Sequence, residues 1–151
     1  MLEYTKQIMK GCYLMSDCLF CKIINGEIPS TKVYEDEHVF AFMDIMPLTK
    51  GHTLLIPKTH CQDLFEMPET VAANLYKAAP KVANAIKAAF NPLGLNTVNN
   101  NGAAAGQTVF HYHLHLIPRY DKSDGFMFEW NSKKLDMSEI ASYGEQISKH
   151  L

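Results

Sequence analysis

The 151-residue chain has no apolar run that approaches the roughly 20 residues of a membrane-spanning helix. It also lacks an excess of positive charge, because 14 Lys and Arg residues stand against 16 Asp and Glu residues. Proteins that bind nucleic acid in general neutralise many phosphates with basic side chains. We therefore expect neither a membrane nor a nucleic acid as a partner. Residues 1–15 are too mixed in polarity to supply the apolar region of a signal peptide.

Cysteine is also scarce, with four residues in the chain. A chain of this length can bury a core without disulfides, so we expect reduced thiols and a cytoplasmic protein. Cys18 and Cys21 form a C-x2-C pair, which inside a cell indicates a metal site or a redox pair. Two ordinary buried thiols are a further interpretation of the same pair.

The hydrophobic periodicity predicts one α+β domain over residues 17–151, after a flexible N-terminal extension at residues 1–16. Helices are expected over 19–24 and 69–90 and from Ser138 onward, with Pro80 kinking or splitting the long one. Strands are expected over 33–34, 39–43, 52–56, 95–99 and 109–117. Short turns favour antiparallel pairing, so we expect an antiparallel sheet of about five strands with helices packed on one face.

The most distinctive feature is the H-x-H-x-H run at His111, His113 and His115. Alternate side chains of a strand point to opposite faces, so the three imidazoles are expected on one face. Burying three imidazoles in an apolar core without hydrogen-bond partners costs free energy. The run therefore favours a site in which one histidine acts as nucleophile or proton carrier. An exposed strand face and a three-histidine metal site remain alternatives. The small residues at 102–106 would let a ligand approach the backbone of the preceding loop.

The stretch at residues 107–117 resembles the signature of the histidine triad family of nucleotide hydrolases and transferases. Residues 22–29, 40–45 and 51–60 resemble earlier blocks of that family in the same order, so the similarity covers about residues 18–119. The branch that these blocks most resemble is the Hint-like nucleotide-binding group. The resemblance implies the HIT-like fold, a homodimer and a small purine nucleotide as substrate.

The resemblance also implies a catalytic set. His113 matches the nucleophile, which would form a nucleotidyl-histidine intermediate that water then hydrolyses. His115 matches a group that binds phosphoryl oxygens or assists the leaving group, and His52 matches a fourth site histidine. With His111 these residues form the predicted catalytic set. A satisfied surface histidine is the alternative for His52.

The same resemblance implies a nucleotide-binding set. Asp44 matches the ribose-binding carboxylate and Asn100 a ribose or phosphate contact. Gln107 and Thr108 match groups that bind phosphoryl oxygens or assist the leaving group. Asp44 and Asn100 could instead hold turns. The predicted apolar walls of the base slot are Leu19, Phe20, Ile23, Ile28, Phe42 and Ile45.

A structural zinc site is the predicted cofactor site. Two thiolates and two imidazoles make a closed tetrahedral zinc site, and Cys18, Cys21 and His60 supply three of these ligands. By resemblance, His111 is the fourth. The chemistry at His113 itself is expected to need no cofactor, and Cys61 is a weak alternative ligand.

The activity implied by the resemblance is cleavage of nucleoside 5′-phosphoramidates or adenylates with release of a nucleoside monophosphate. A dinucleoside polyphosphate hydrolase of the Ap4A type, with the same triad, is one alternative. A zinc-stabilised purine-nucleotide sensor or adaptor without turnover is another. A catalytic three-histidine zinc hydrolase is disfavoured, because the triad strand lacks a carboxylate base nearby in the sequence.

Overall fold

A computed structural model describes residues 17–126, 129 and 131–151 of the chain. The predicted N-terminal extension at residues 1–16 lies outside the described residues. Among the helices of the described part, none is long and apolar enough to cross a membrane.

The described residues form three α-helices and five β-strands. The helices are α1 (Leu19–Ile24), α2 (Glu69–Phe90) and α3 (Met137–Ser148). The strands are β1 (Lys32–Glu35), β2 (Val39–Met43), β3 (Thr53–Pro57), β4 (Gly94–Val98) and β5 (Leu114–Arg119). Short 3-10 turns lie at Leu64–Glu66 and Ala103–Ala105.

The five strands form one sheet in the order β1-β2-β3-β5-β4, and every neighbouring pair is antiparallel. The predicted α+β fold with an antiparallel five-stranded sheet is therefore confirmed. Every residue of β3 is buried, since this strand lies at the centre of the sheet.

The sheet is covered on both faces, which corrects the expectation of helices on one face. Along β2, Val39 and Ala41 pack in the cluster that contains Leu75 and Val82 of α2. The residues between them point the other way, as the strand period of two requires. On that second face, Phe40 and Phe42 join Leu54 and Ile56 of β3, and α1 covers them with Phe20 and Ile23. The short helix therefore builds a second core layer, beside the histidines.

The strand predicted over 109–117 begins only at Leu114, and it continues to Arg119 through Pro118. The residues before it leave the ladder because their backbone groups bond elsewhere. The N–H of Tyr112, for example, donates to the carbonyl of Cys61 at 2.7 Å. Pro80 does not split the long helix, which runs unbroken through it.

Gly51 has a left-handed backbone conformation directly before His52, a predicted site residue. Its φ is +89°, and a Cβ at this position would lie 2.8 Å from the ring of Phe90. We expect Gly51→Ala to destabilise the fold by roughly 2–4 kcal/mol, through backbone strain and overpacking. Thermal unfolding should show a melting temperature lower by about 4–16 °C.

Gly94→Ala is the matched control for that substitution. A Cβ at Gly94 would meet no heavy atom of the described residues within 4 Å, and the φ of Gly94 lies outside the left-handed region. We expect this variant to melt close to the wild type. Equal melting of the Gly51 variant and the wild type would contradict the strain assigned to Gly51.

Candidate active site and metal centre

A cleft of about 460 Å³ lies between α1, β2, the loop after β2 and the histidine segment. Most of its wall is apolar, and the polar groups gather at one end. Predicted site residues in the wall are Leu19, Phe20, Ile23, Ile28, Phe42, Asp44, Ile45, His52, Thr108, His113 and His115. An apolar slot that ends in a few convergent polar groups is the usual form of a small-molecule site.

His113 is held so that one ring nitrogen is free for chemistry. Its Nδ1 lies 2.7 Å from the carbonyl oxygen of His111, and a carbonyl can only accept. Nδ1 therefore carries the proton, and Nε2 keeps its lone pair. The ring of Phe20 packs edge-on against the imidazole at 5.2 Å between centroids. The result is an oriented, unprotonated Nε2 in the wall of the cleft.

The other two histidines of the cleft form a relay with a defined direction. The backbone N–H of Leu48 donates to Nδ1 of His52 at 3.1 Å, so the proton of His52 is on Nε2. This Nε2 lies 2.9 Å from Nδ1 of His115 and donates to it. His115 consequently carries its own proton on Nε2. Its ring centroid lies 5.0 Å from that of His113, which places a proton donor beside the free nitrogen.

Asp44 combines a turn with a place in the site. Its Oδ1 accepts the N–H of Met46 at 2.8 Å. Its Oδ2 lies 3.6 Å from Nε2 of His52 and 4.0 Å from Nδ1 of His115. These three side chains lie close enough to hold a metal ion. However, the N–H of Leu48 leaves the His52 proton on the nitrogen that faces the other two groups, so this trio suits a hydrogen-bond relay.

Burial keeps the cleft histidines neutral near pH 7. It lowers the pKa of His52, and it lowers the pKa of His115 to about 4, with the neighbouring His113 and His52 adding to the effect at His115. Burial also lowers the pKa of His113, against the opposing hydrogen bond to His111. A neutral imidazole is the nucleophilic form, so the site is ready to react without prior deprotonation.

The lowered pKa of His115 predicts a pH dependence of stability. In the unfolded chain the pKa of His115 is 6.5, and in the folded chain it is about 4. Between these pH values the unfolded chain binds a proton at His115 and the folded chain does not. The contribution of His115 to the free energy of unfolding is therefore fully present above pH 6.5. It is lost as the pH falls toward 4, which lowers the free energy of unfolding by up to about 3 kcal/mol.

Denaturant unfolding between pH 4 and 7 measures this effect. His115→Gln should make the free energy of unfolding fall less steeply with decreasing pH than it does in the wild type. His38→Gln, which changes an exposed histidine outside the cleft, is the matched control. Parallel curves for the wild type and His115→Gln would contradict the assignment.

A second cluster joins Cys18, Cys21, His60 and His111, whose ligand atoms all lie within 4.8 Å of one another. The Nδ1 atoms of the two histidines are 3.2 Å apart. Three sulfur-to-Nδ1 distances are 3.4, 3.4 and 3.6 Å. Donors at about 2.3 Å (sulfur) and 2.0–2.1 Å (nitrogen) in a tetrahedron around zinc would be roughly 3.3–3.8 Å apart. The spacing of this donor set therefore fits zinc.

The surroundings of His111 support the same interpretation. Its Nε2 donates to the carbonyl oxygen of Pro57 at 2.9 Å, which leaves the lone pair on Nδ1, toward the cysteines. A ligand histidine that is oriented by a carbonyl on its other nitrogen is typical of zinc sites. Cys21 is disulfide-bonded in this structure, unlike the expected reduced thiol, so it can bind zinc only after reduction.

A family profile for the HIT domain matches residues 25–122. The chain belongs to the HIT family. It is 53% identical over 137 residues to "Protein hit" of Bacillus subtilis, covering 89% of this chain and 94% of that protein. It is 47% identical to "Adenylylsulfatase HINT3" of Arabidopsis thaliana (91% of this chain, 71% of that protein). It is 38% identical to "Adenosine 5'-monophosphoramidase hnt1" of Schizosaccharomyces pombe (89% and 98%).

Solved structures of HIT proteins agree with this fold. A HIT family protein from Bacillus anthracis matches with a TM-score of 0.87 and 53% identity, over 90% of this chain and 98% of that one. A zinc-bound histidine triad family protein from Mycobacterium smegmatis matches with a TM-score of 0.68 and 34% identity, over 89% and 98%. The sequence resemblance to the histidine triad family is thereby confirmed.

Three residues that the HIT resemblance assigned to the site lie outside the wall of the cleft: Asn100, Gln107 and His111. The buried amide of Gln107 is engaged by its own loop, since Oε1 accepts the N–H of Gly102 at 2.7 Å and Nε2 donates to the carbonyls of Gln62 and Val109. Nδ2 of Asn100 lies 3.5 Å from the carbonyl of Gly106. The roles of Asn100 and Gln107 toward a substrate remain predictions, while His111 lies in the cluster with Cys18, Cys21 and His60.

Sequence reasoning missed the groups that act through their backbone. The N–H of Leu48 fixes the tautomer of His52, and the carbonyl of Pro57 fixes that of His111. Neither a leucine nor a proline indicates such a role in a sequence. Several wall residues were missed as well: Pro29, Ser30, Met46, Leu48, Leu54 and Val109. Three of these six, Pro29, Met46 and Val109, directly follow predicted site residues in the chain, and that adjacency was the available signal.

Proposed function

We propose that this HIT protein cleaves nucleoside 5′-phosphoramidates or adenylates and releases a nucleoside monophosphate, through a covalent nucleotidyl-histidine intermediate. One observation carries the proposal: the unprotonated Nε2 of His113 lies in the cleft wall beside His115, which keeps a proton on its own Nε2. The relatives named adenylylsulfatase and adenosine 5'-monophosphoramidase support this substrate class.

The two steps follow from this pair of imidazoles. In the first, Nε2 of His113 attacks the α-phosphorus, a new P–N bond forms, and the bond from phosphorus to the leaving amine or acid breaks. His115 can give its Nε2 proton to that leaving group, and the negative charge this leaves on His115 is offset by the positive charge on the phosphorylated ring of His113. In the second step water attacks the same phosphorus, the bond to His113 breaks, and the monophosphate leaves. The water proton restores His115.

The carbonyl of His111 assists the first step by its position. When His113 attacks, positive charge develops on its ring, and the Nδ1–H bond to this carbonyl becomes charge-assisted. Because the carbonyl is already in place, no reorganisation is needed as the charge forms. The apolar wall with Phe20 and Phe42 would hold the base, and Asp44 would accept from the ribose hydroxyls.

The test is release of adenosine monophosphate from adenosine 5′-phosphoramidate, measured beside diadenosine tetraphosphate and with calorimetric binding of the monophosphate. Faster turnover of the phosphoramidate is the expected result. Preferred cleavage of the tetraphosphate would replace this substrate class by the polyphosphate class. Binding of the monophosphate without turnover of either compound would overturn the proposal in favour of a sensor or adaptor.

We further propose that the four-ligand cluster holds a structural zinc ion, with Cys18, Cys21, His60 and His111 as its ligands. Zinc would tie α1 to the segment that ends in His113, and it would leave the chemistry to the imidazoles of the cleft. A reducing, cytoplasmic location belongs to the same proposal, because the ligands must be thiolates. The zinc-bound M. smegmatis relative supports it.

We also propose a homodimer, supported by the exposed apolar side chains of α3. Every residue of this 12-residue helix is exposed, including Ile140 at 48% and Ile147 at 67%. Isolated helices this short are marginal in water, so a partner surface is needed to stabilise it. Two copies of α3 running antiparallel about Gly144 would bring each Glu139 level with the Lys149 of the other copy.

Light scattering during size exclusion tests the homodimer. The wild type should have the mass of two chains, and Ile140→Glu with Ile147→Glu should shift it toward one. Ser142→Glu, on the opposite side of α3, is the control. A wild type with the mass of one chain would refute the dimer, whereas an unchanged double variant would refute only the role of α3.

A further inference from the structure

The backbone that carries His113 lies just beyond the end of the strand ladder. The pairing of β5 with β4 ends at His115 opposite Val98, and its pairing with β3 ends at Leu114 opposite Leu55. His113 is therefore outside the regular hydrogen bonds that fix the rest of β5. A nucleophile in such a place needs other restraints, because catalysis is sensitive to shifts of about 1 Å.

A side-chain amide takes the place of the missing ladder bond. Nδ2 of Asn99, the residue after β4, donates to the carbonyl oxygen of His113 at 3.0 Å. The ring of His113 is meanwhile fixed through Nδ1 by the carbonyl of His111. His113 is thus held at its ring and at its backbone, and Asn99 supplies the second restraint from outside the cleft wall.

Asn99 is itself oriented by a chain of hydrogen bonds. Nδ2 of Asn101 donates to Oδ1 of Asn99 at 2.6 Å, which directs the Asn99 amide nitrogen toward His113. Oδ1 of Asn101 in turn accepts the N–H of Leu64 at 2.7 Å, at the 3-10 turn that follows the metal ligand His60. Each donor in this series of hydrogen bonds has one acceptor, so the hydrogen bonds determine which way the amides of Asn99 and Asn101 point.

We propose that Asn99 is a positioning residue, which holds the backbone of His113 so that Nε2 meets the α-phosphorus of a bound nucleotide. Asn101 supports it from behind. The proposal rests on the proposed function of His113 and adds a residue that does not contact the substrate. Its signature is a loss of the rate of nucleotidyl transfer with little change in nucleotide binding.

The test compares Asn99→Asp with the wild type, both full-length, reduced and loaded with zinc. Aspartate has the same size but no donor, and it turns an oxygen toward the carbonyl of His113. We expect kcat for adenosine 5′-phosphoramidate to fall about 10–100-fold, with KM and the Kd of adenosine monophosphate within about threefold of the wild type. Asn74→Asp on α2 is the matched control and should keep the wild-type kcat.

Two further measurements separate positioning from folding and from the chemistry itself. Melting temperature and zinc content should be unchanged in Asn99→Asp. A lower kcat that is accompanied by a lower melting temperature or lower zinc content would overturn the proposal. A kcat within twofold of the wild type would overturn it as well. If the wild type turns over no substrate, the proposed function fails first. NMR then decides on Asn99: changed ring signals of His113 in Asn99→Asp support positioning, and unchanged signals overturn it.

Discussion

His113→Ala is expected to lower kcat for release of adenosine monophosphate from adenosine 5′-phosphoramidate by at least about 10³-fold. The reason is that no other imidazole of the cleft has a free lone pair. His52 uses Nδ1 to accept from Leu48 and Nε2 to donate to His115, and His115 uses Nδ1 to accept. Its remaining nitrogen carries a proton. Neither residue can replace His113 without reversing the whole relay.

Binding and folding provide the controls for this variant. The cleft walls remain, so the Kd of adenosine monophosphate should stay within about tenfold, since the loss is one imidazole contact among many. Zinc content should also be unchanged, because His113 contributes no ligand atom to the metal cluster. A variant that keeps a tenth or more of the wild-type kcat would contradict a nucleophilic role of His113.

The covalent intermediate gives an independent readout. Wild type quenched in alkali during turnover should carry one added nucleotidyl group, on the peptide that contains His113. His113→Gly leaves a hole where the ring stood, and free imidazole added to it should restore part of the turnover. Turnover that is equally fast without added imidazole would mean that water attacks the phosphorus directly.

The sequence predicted the elements whose apolar pattern is regular. Helix α1 and strand β2 begin and end where periodicity placed them, because α1 buries the stripe with Phe20 and Ile23 and β2 is apolar and buried on both faces. The alternation in the histidine run was also correct: Tyr112, Leu114 and Leu116 join the core, while His113 and His115 line the cleft. The predicted alternation of side chains is therefore correct, even though β5 starts later than predicted.

The late start of β5 could not be predicted, because its cause lies in tertiary bonds. The backbone before Leu114 bonds to Cys61 and to the side chain of Asn99, and these partners are far away or unmarked in the sequence. The second helical layer has a similar origin. Leu19, Phe20 and Ile23 look like any short buried stripe, and only the folded sheet shows that α1 packs on the face opposite α2.

Removal of zinc is the second change with a large expected effect. It should lower the melting temperature as well as kcat. Ligand binding to the folded state stabilises it by about 3–4 kcal/mol at free concentrations of 100 to 1,000 times Kd. Chelation of the reduced, zinc-loaded protein should therefore lower the melting temperature by about 6–16 °C. Cys18→Ala should do the same without chelator and should abolish stoichiometric zinc.

Cys61→Ala is the matched control, since it removes a buried thiol next to His60 that is outside the donor group. Burial raises the pKa of Cys61 to about 11, so this thiol stays protonated and is a poor ligand. The variant should keep about one zinc per chain. Absence of zinc from reduced wild type prepared without chelators would refute the metal site.

The proposed zinc site and the proposed nucleophile are connected through the backbone, and this connection predicts how activity responds to metal loss. The ring of His111 is a proposed zinc ligand, and its carbonyl accepts the Nδ1–H of His113. Release of the ring frees that carbonyl to move, so kcat should fall when zinc is removed, while binding in the apolar cleft is largely retained. Re-addition of zinc should restore kcat and melting temperature together, whereas recovery of kcat alone would indicate that the metal takes part in the reaction.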